Sequence, residues 1–324
     1  MALTPPQGRR GFNKMAYGTA LDERGTVSTG QLIAEDFQDV VASLLAQAGH
    51  LPQIELSYEP DRQLLWITMK PEPKPVLTAP MIDSLRRVQL AAYERWGRAP
   101  DRPIRFMALR SFHGIFSLGG DLDFILDCLA KNDKAALVDY ARIACEAIAL
   151  SRNGVNGTVL TFAAVRSRVM GGGIDTARGC NFVVAEDRAK FSYPEVNFNH
   201  YPIAAVPVLS RHIGHVASER LLMSGKEYGA SELHEIGMLD AVVPTGGCED
   251  WIRTYAANAL HSQEARVGVI AACNRMAGDF ATQLRDSVDA WVAHILALRP
   301  IEIAKLQRIA AAQERMLARL LKAD

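Results

Sequence analysis

Apolar residues recur along this chain with two different periods. Over residues 31–49, Leu32, Ile33, Phe37, Val40, Val41, Leu44 and Leu45 form a helical stripe that stops at Gly49. Residues 54–58 and 64–69 alternate or cluster apolar side chains on either side of Glu59-Pro60-Asp61-Arg62, which predicts a hairpin. Thr78 and Pro80 are helix-start residues, and Met81, Leu85, Val88 and Ala92 continue a helical face. Residues 104–109 predict a buried strand. Helical spacing returns over residues 121–150 through Leu122, Ile125, Leu126, Leu129, Leu137, Tyr140 and Ile143. The next strand is predicted over residues 158–165, with short ones at 182–185 and 190–193. Strands alternating with helices predict an α/β fold with a parallel layered sheet. Beyond Pro244 the pattern is helical, over residues 250–259 and again over 280–321. Residues 1–30 are rich in Gly, Pro, Arg and Thr, carry no apolar period, and are expected to form a flexible tail.

Composition narrows the function classes. Lys and Arg together number 36, as do Asp and Glu, so no net field favours nucleic acid or an anionic membrane. An apolar fraction of 49% suits one large core, alone or with an appendage. No apolar run reaches the roughly 18 residues of a spanning helix and the start has no signal-peptide core, so the cytoplasm is the expected location. Cys128, Cys145, Cys180, Cys248 and Cys273 are scattered without a C-x-x-C pair, which fits reduced thiols.

Two glycine turns interrupt the pattern: Phe116-Ser117-Leu118-Gly119-Gly120-Asp121 and Met170-Gly171-Gly172-Gly173-Ile174-Asp175. Each follows a strand-like run and precedes helical spacing. Glycine permits a sharp turn and close approach to its N–H. A helix start adds free N–H donors and a partial positive charge. Brought together, the turns would aim two backbone donors at one developing oxyanion, as acyl-thioester chemistry requires. Taken singly, either turn would merely cap a helix or allow tight packing. Glu195, in Tyr193-Pro194-Glu195, supplies a carboxylate; its alternative is an ordinary surface loop. No G-x-x-x-x-G-K-[ST] phosphate loop is present, and residues 171–179 do not read G-x-G-x-x-G.

These residues resemble the enoyl-CoA hydratase/isomerase (crotonase) superfamily, whose order is strand, F-(A/S)-x-G-x-D turn, helix, strand, G-G-G turn, helix and P-E turn. The resemblance runs over residues 104–244. It includes Arg211-His212-Ile213-Gly214, Ala217, Leu221-Leu222-Met223-Ser224-Gly225, Ala230 and Gly237-Met238-Leu239-Asp240-Ala241-Val242-Val243-Pro244. The run from Phe116 to Asp139-Tyr140-Ala141, with the long amino-terminal lead, most resembles the bacterial diffusible signal factor synthases. This implies a crotonase-like ββα spiral over residues 31–245, with an N-terminal helical lead. It also implies a helical C-terminal region over 246–324 that packs over the site and builds a homotrimer or dimer of trimers. Oxyanion donors are implied at Leu118 and Gly172, with substrate contacts from Gly119, Gly120, Asp121, Gly171 and Gly173. Glu195 is implied as the acid or base. The activity implied is that of a lyase or isomerase on an acyl thioester. Its closest form dehydrates a 3-hydroxyacyl thioester to a 2-enoyl product, followed by hydrolysis to a free fatty acid signal. Coenzyme A or acyl carrier protein would carry the acyl group as substrate, and neither a separate cofactor nor a metal is implied. Two alternatives stand beside it: an enoyl isomerase using Glu195 alone, and a non-catalytic relative that only binds the thioester.

The chain departs from the superfamily pattern around Asp175. Hydratases carry glutamate there, and aspartate withdraws the carboxylate by about 1.5 Å, near one carbon–carbon bond. Displacements of that size cost on the order of a hundredfold in rate, so Asp175 is either a weakened catalytic carboxylate or a spectator. Asp121 suits a helix first turn, where a carboxylate is favourable in any case. Arg166 and Arg168 stand where relatives carry N-G or Q-G; they would either reach coenzyme A phosphates or form surface ion pairs. Asn197, Asn199, His200 and Tyr201 would line the acyl pocket or form a polar loop. His212 and His215 have a ligand-like spacing but no third ligand nearby, so no metal site is expected.

Overall fold

The run Leu64–Met69 is apolar at nearly every position because both of its faces are covered. It is β2 in a computed structural model that describes residues 39–320 apart from Pro100 and His113. The tail expected over 1–30, and Leu32, Ile33 and Phe37 of the first predicted helix, lie outside the described residues. The helix Asp39–Ala48 carries the rest of that stripe.

β1 (Ile54–Glu59) pairs antiparallel with β2, closing the expected hairpin around a 3-10 turn at Pro60–Arg62. β2 then pairs in parallel with β3 (Phe106–Ser111), β3 with β4 (Leu160–Val165), β4 with β6 (Phe182–Glu186), and β6 with β9 (Ala241–Val243). Among the described residues a smaller sheet joins β5 (Arg168–Met170), β7 (Lys190–Ser192) and β8 (Glu227–Gly229). Short isolated pairings extend the scheme: Leu77 lies beside Gly120, and Ser117 beside Val169. A long strand, a short partner and a helix therefore recur, as in β4, β5 and the helix Gly172–Gly179. This is the expected strand–strand–helix coil.

Trp66, Phe106, Phe162 and Val184 pack with Ile252 and Ala256 of the helix Cys248–Ala259. Side chains of this size stabilise by ~1.5–3 kcal/mol each when fully buried. The helix Ala79–Trp96 begins where expected, with the Thr78 hydroxyl accepting from the Met81 N–H at 3.3 Å.

One expected helix is two. Over residues 121–150 the chain forms Leu122–Lys131 and Lys134–Arg152, separated by Asn132 at φ 52 and by Asp133, whose carboxylate caps Ala136 N–H at 3.0 Å. An interruption this short hardly disturbs an apolar period of 3.6 residues. After residue 245 the chain continues as the helices Cys248–Ala259, Gln263–Met276, Phe280–Leu296 and Pro300–Leu320. Phe280–Leu296 packs on Lys134–Arg152, and Pro300–Leu320 on Leu122–Lys131. No helix among the described residues is long and apolar enough to cross a membrane.

Candidate active site

β5 brings the two glycine turns together. Phe116 N–H donates to the Arg168 carbonyl and Met170 N–H to the Ser117 carbonyl, each at 2.9 Å, so the first turn runs alongside the strand that enters the second. The contact is too close for side chains: a Cβ on Gly173 would stand 2.7 Å from Ser117 Cβ. At Gly171 the backbone adopts φ 48, and a Cβ there would fall 1.9 Å from Glu195 Oε1. Only glycine meets both conditions.

Hydrogen bonding within the first turn corrects one expectation. Leu118 N–H donates to the Pro75 carbonyl at 2.7 Å, so it is not available as an oxyanion donor. Gly119 N–H is held by Ser117 Oγ at 3.1 Å and Asp121 N–H by the Tyr140 hydroxyl at 3.1 Å. Gly120 N–H has no acceptor among the described residues, and neither does Gly172 N–H in the first turn of its helix. A Cβ on Gly172 would be 4.0 Å from the Gly120 nitrogen. The free pair is therefore Gly120 and Gly172. Asp121 is also corrected as a substrate contact: its carboxylate caps Phe124 N–H at 3.1 Å, and it does not line the pocket. Gly119, Gly120, Gly171 and Gly172 do line it, whereas Gly173 serves the close approach.

Both candidate carboxylates face the same pocket and are buried, Asp175 at 0% and Glu195 at 9% exposure. Asp175 Oδ1 accepts from the Tyr193 hydroxyl at 2.6 Å, while Asp175 Oδ2 and Glu195 Oε2 have no hydrogen-bond partner among the described residues. Burial pushes Glu195 up to about 8, and the nearby Asp175 charge adds to the rise. Burial likewise pushes Asp175 up to about 7, against the opposing pull of the Tyr193 hydroxyl and the Ala204 backbone. Two carboxyls that titrate near neutrality and influence each other behave as a unit.

The pocket encloses about 180 Å³. Its walls are largely apolar, with Met69, Ile82, Leu85, Ala147 and Ile148 from the core and Trp291, Ile309 and Ala312 from the C-terminal helices. Gln313 adds a polar contact, donating from Nε2 to the Leu118 carbonyl at 2.9 Å. Buried Lys74 pairs with Asp123 and lies 3.5 Å from Glu314, which ties the same helix to the first turn.

The remaining candidates divide clearly. Arg166 pairs with Glu249 and Arg168 with Glu227. Asn197 donates to the Gly225 carbonyl at 3.3 Å and Asn199 to Glu302 at 2.8 Å; of the four polar residues after Glu195, only His200 lines the pocket. His212 contacts Arg152 at 3.2 Å, and no metal-ligand cluster occurs among the described residues. The described cysteines are all free. Sequence reasoning did not find the roles of Tyr193, Tyr140 and Gln313. Tyr193 directly precedes the Pro-Glu pair, which was the one local signal available.

Residues 64–290 match the family Enoyl-CoA hydratase/isomerase. The chain is 30% identical over 125 residues to cyclohexa-1,5-dienecarbonyl-CoA hydratase of Thauera aromatica, covering 38% of this chain and 48% of that protein. It is 31% identical over 167 residues to mevalonyl-coenzyme A hydratase of Beauveria bassiana, covering 49% of this chain and 57% of that one. The chain thus spans about half the length of these relatives. Among solved structures, an enoyl-CoA hydratase from Bacillus halodurans superposes with a TM-score of 0.67 at 20% identity, over 79% of this chain and 99% of that one. Pseudomonas aeruginosa DspI superposes with a TM-score of 0.59 at 22% identity, over 68% and 86%. These two likenesses concern the fold, which is that of the crotonases. With the family match spanning well over half its length, the chain belongs to the enoyl-CoA hydratase/isomerase family of enzymes.

Proposed function

We propose that the protein is an acyl-thioester lyase of the hydratase–dehydratase type. The observation that carries this reading is two buried carboxylates, each with an unpartnered oxygen, on the same pocket as the free N–H groups of Gly120 and Gly172. The thioester oxygen binds between those donors, which stabilise the negative charge it gains as C2 loses its proton. Glu195 takes the C2 proton. Dehydration uses the form of the coupled pair in which the one retained proton sits on Asp175, which gives it to the C3 oxygen; hydration starts from the form in which Glu195 holds it. The C3–O bond breaks, water leaves, and the C2–C3 double bond remains; hydration is the reverse. The apolar walls suit an alkyl or alkenyl chain. The finer reading is a 3-hydroxyacyl thioester dehydrated to the 2-enoyl product and hydrolysed to a free fatty acid signal, with coenzyme A or acyl carrier protein as carrier. Exposed Val269, Met276 and Ile301 on the C-terminal helices support assembly as a homotrimer or dimer of trimers.

The test is incubation with 2-enoyl, 3-enoyl and 3-hydroxyacyl thioesters, with products resolved by mass. Gain or loss of water is expected. Mass-neutral migration would move the function to a Glu195 isomerase, free acid alone to a thioesterase, and no turnover to a binding protein.

The pH profile follows from the same pair. Below about 7 both carboxyls hold protons and no base remains; above about 8 both are ionised and no acid remains. A bell-shaped kcat/KM centred between those values is expected. A rate that climbs monotonically to pH 9.5 would rule out the acid role of the second carboxyl.

A further inference from the structure

Tyr140 and Ser151 mark the two ends of the pocket along the helix Lys134–Arg152, ~16 Å apart on its axis. The Tyr140 hydroxyl donates to the Leu77 carbonyl at 2.8 Å and accepts from Asp121 N–H, so that end adjoins the first glycine turn. Ser151 is the far end. Its hydroxyl accepts from Gln89 Nε2 at 2.6 Å, and its carbonyl accepts from the Thr161 hydroxyl at 2.8 Å. Gln89 belongs to the helix Ala79–Trp96, which packs along Lys134–Arg152. Between the two ends these helices leave an apolar crevice, walled by Met81, Ile82 and Leu85 on one side and by Ala144, Ala147 and Ile148 on the other. Gln89 and Ser151 are both buried and close it with a polar floor.

Asp175 faces the middle of this crevice. Its charge adds to the burial that raises the Cys145 thiol, and a Cβ on Gly179, one turn further on, would stand 2.9 Å from Ile148 Cγ2. A thioester held at Gly120 and Gly172 therefore presents C3 near Cys145 and sends the rest of its acyl chain toward Ser151. From Cys145 to Ser151 is ~9 Å of helix axis. Less ~3.5 Å of contact at the floor, a staggered chain advancing about 1.3 Å per carbon has room for about four carbons past C3. The enclosed volume agrees: a cavity of about 150 Å³ takes up benzene, with its six carbons, and this one encloses about 180 Å³. We propose that the crevice measures acyl chain length: the tail runs along Ala144 and Ala147 and stops on the Gln89–Ser151 pair at about eight carbons, so that medium-chain acyl thioesters are preferred. This rests on the thioester-binding reading above.

Binding is measured by calorimetry with butanoyl, hexanoyl, octanoyl, decanoyl and dodecanoyl coenzyme A, saturated ligands that the enzyme can neither hydrate nor dehydrate. Affinity is expected to rise about fourfold per methylene up to octanoyl, the worth of one buried CH₂, and to stop rising beyond it. Ala147→Leu fills the crevice short of the floor and should move that break to hexanoyl coenzyme A or below. Gln89→Ala opens the floor and should move it to decanoyl coenzyme A or beyond. Melting curves establish that each variant is folded, and the wild-type series stands as a test whether or not they are. Wild-type affinity that climbs through dodecanoyl or does not depend on length, or a break that neither folded variant moves, overturns the inference alone. No binding of any ligand by the wild type overturns the thioester reading, and the inference with it.

Discussion

Replacing Glu195 with glutamine is expected to lower kcat/KM by about 10²–10⁴-fold, the usual worth of a placed proton-transfer group. Glutamine keeps the shape that packs against Gly171 Cα but cannot accept a proton from carbon. The same change removes a buried ionisable group, held up to about 8 by its surroundings. The folded state should therefore be no less stable above neutral pH, where the wild-type site must either keep its proton or bury a charge. Lost activity with an unchanged or raised melting temperature separates a chemical role from a structural one. Retention of more than about a tenth of the rate would remove Glu195 from the mechanism.

Gly172→Pro is the second large effect expected, and it tests a backbone atom. Gly172 is the first residue of the helix Gly172–Gly179, the position at which proline is best tolerated because its N–H is not used within the helix. The variant should fold, yet it lacks one of the two N–H donors proposed to face the thioester oxygen. Loss of one such donor lowers kcat by about 10²–10³-fold. Gly120→Ala is the companion: it retains its N–H, and its added Cβ would meet only the Tyr140 hydroxyl at 3.4 Å and Ile125 at 4.0 Å. It should keep most of the activity. A folded Gly172→Pro enzyme with wild-type kcat would withdraw the oxyanion assignment.

The strands, the hairpin and the approximate place of both glycine turns could be read from the chain because they depend on local period and turn chemistry. The donor on the first turn could not. Which N–H stays free depends on Pro75, whose carbonyl takes Leu118 N–H, and on Tyr140, whose hydroxyl takes Asp121 N–H. Both partners come from segments remote in sequence, so the free donor falls two residues beyond Leu118, at Gly120. Asp175 was ambiguous for a related reason. Its shortened side chain is visible in the sequence, whereas its burial and its bond to Tyr193 arise only when β7 lies against β5. Gln313 and the C-terminal wall were hidden because helical periodicity says that a face is apolar without saying what it covers.

Gly171 and Glu195 occupy one volume between them, and this sets an order on how the site can change over time. While the carboxylate is in place, position 171 cannot acquire a side chain, since the first added carbon would overlap Oε1. Change at this pair must therefore begin at residue 195, and only afterwards is residue 171 released. Among relatives of this chain, a residue larger than glycine at the position of Gly171 marks a lineage whose facing carboxylate has already moved or gone, even where a glutamate still follows the proline.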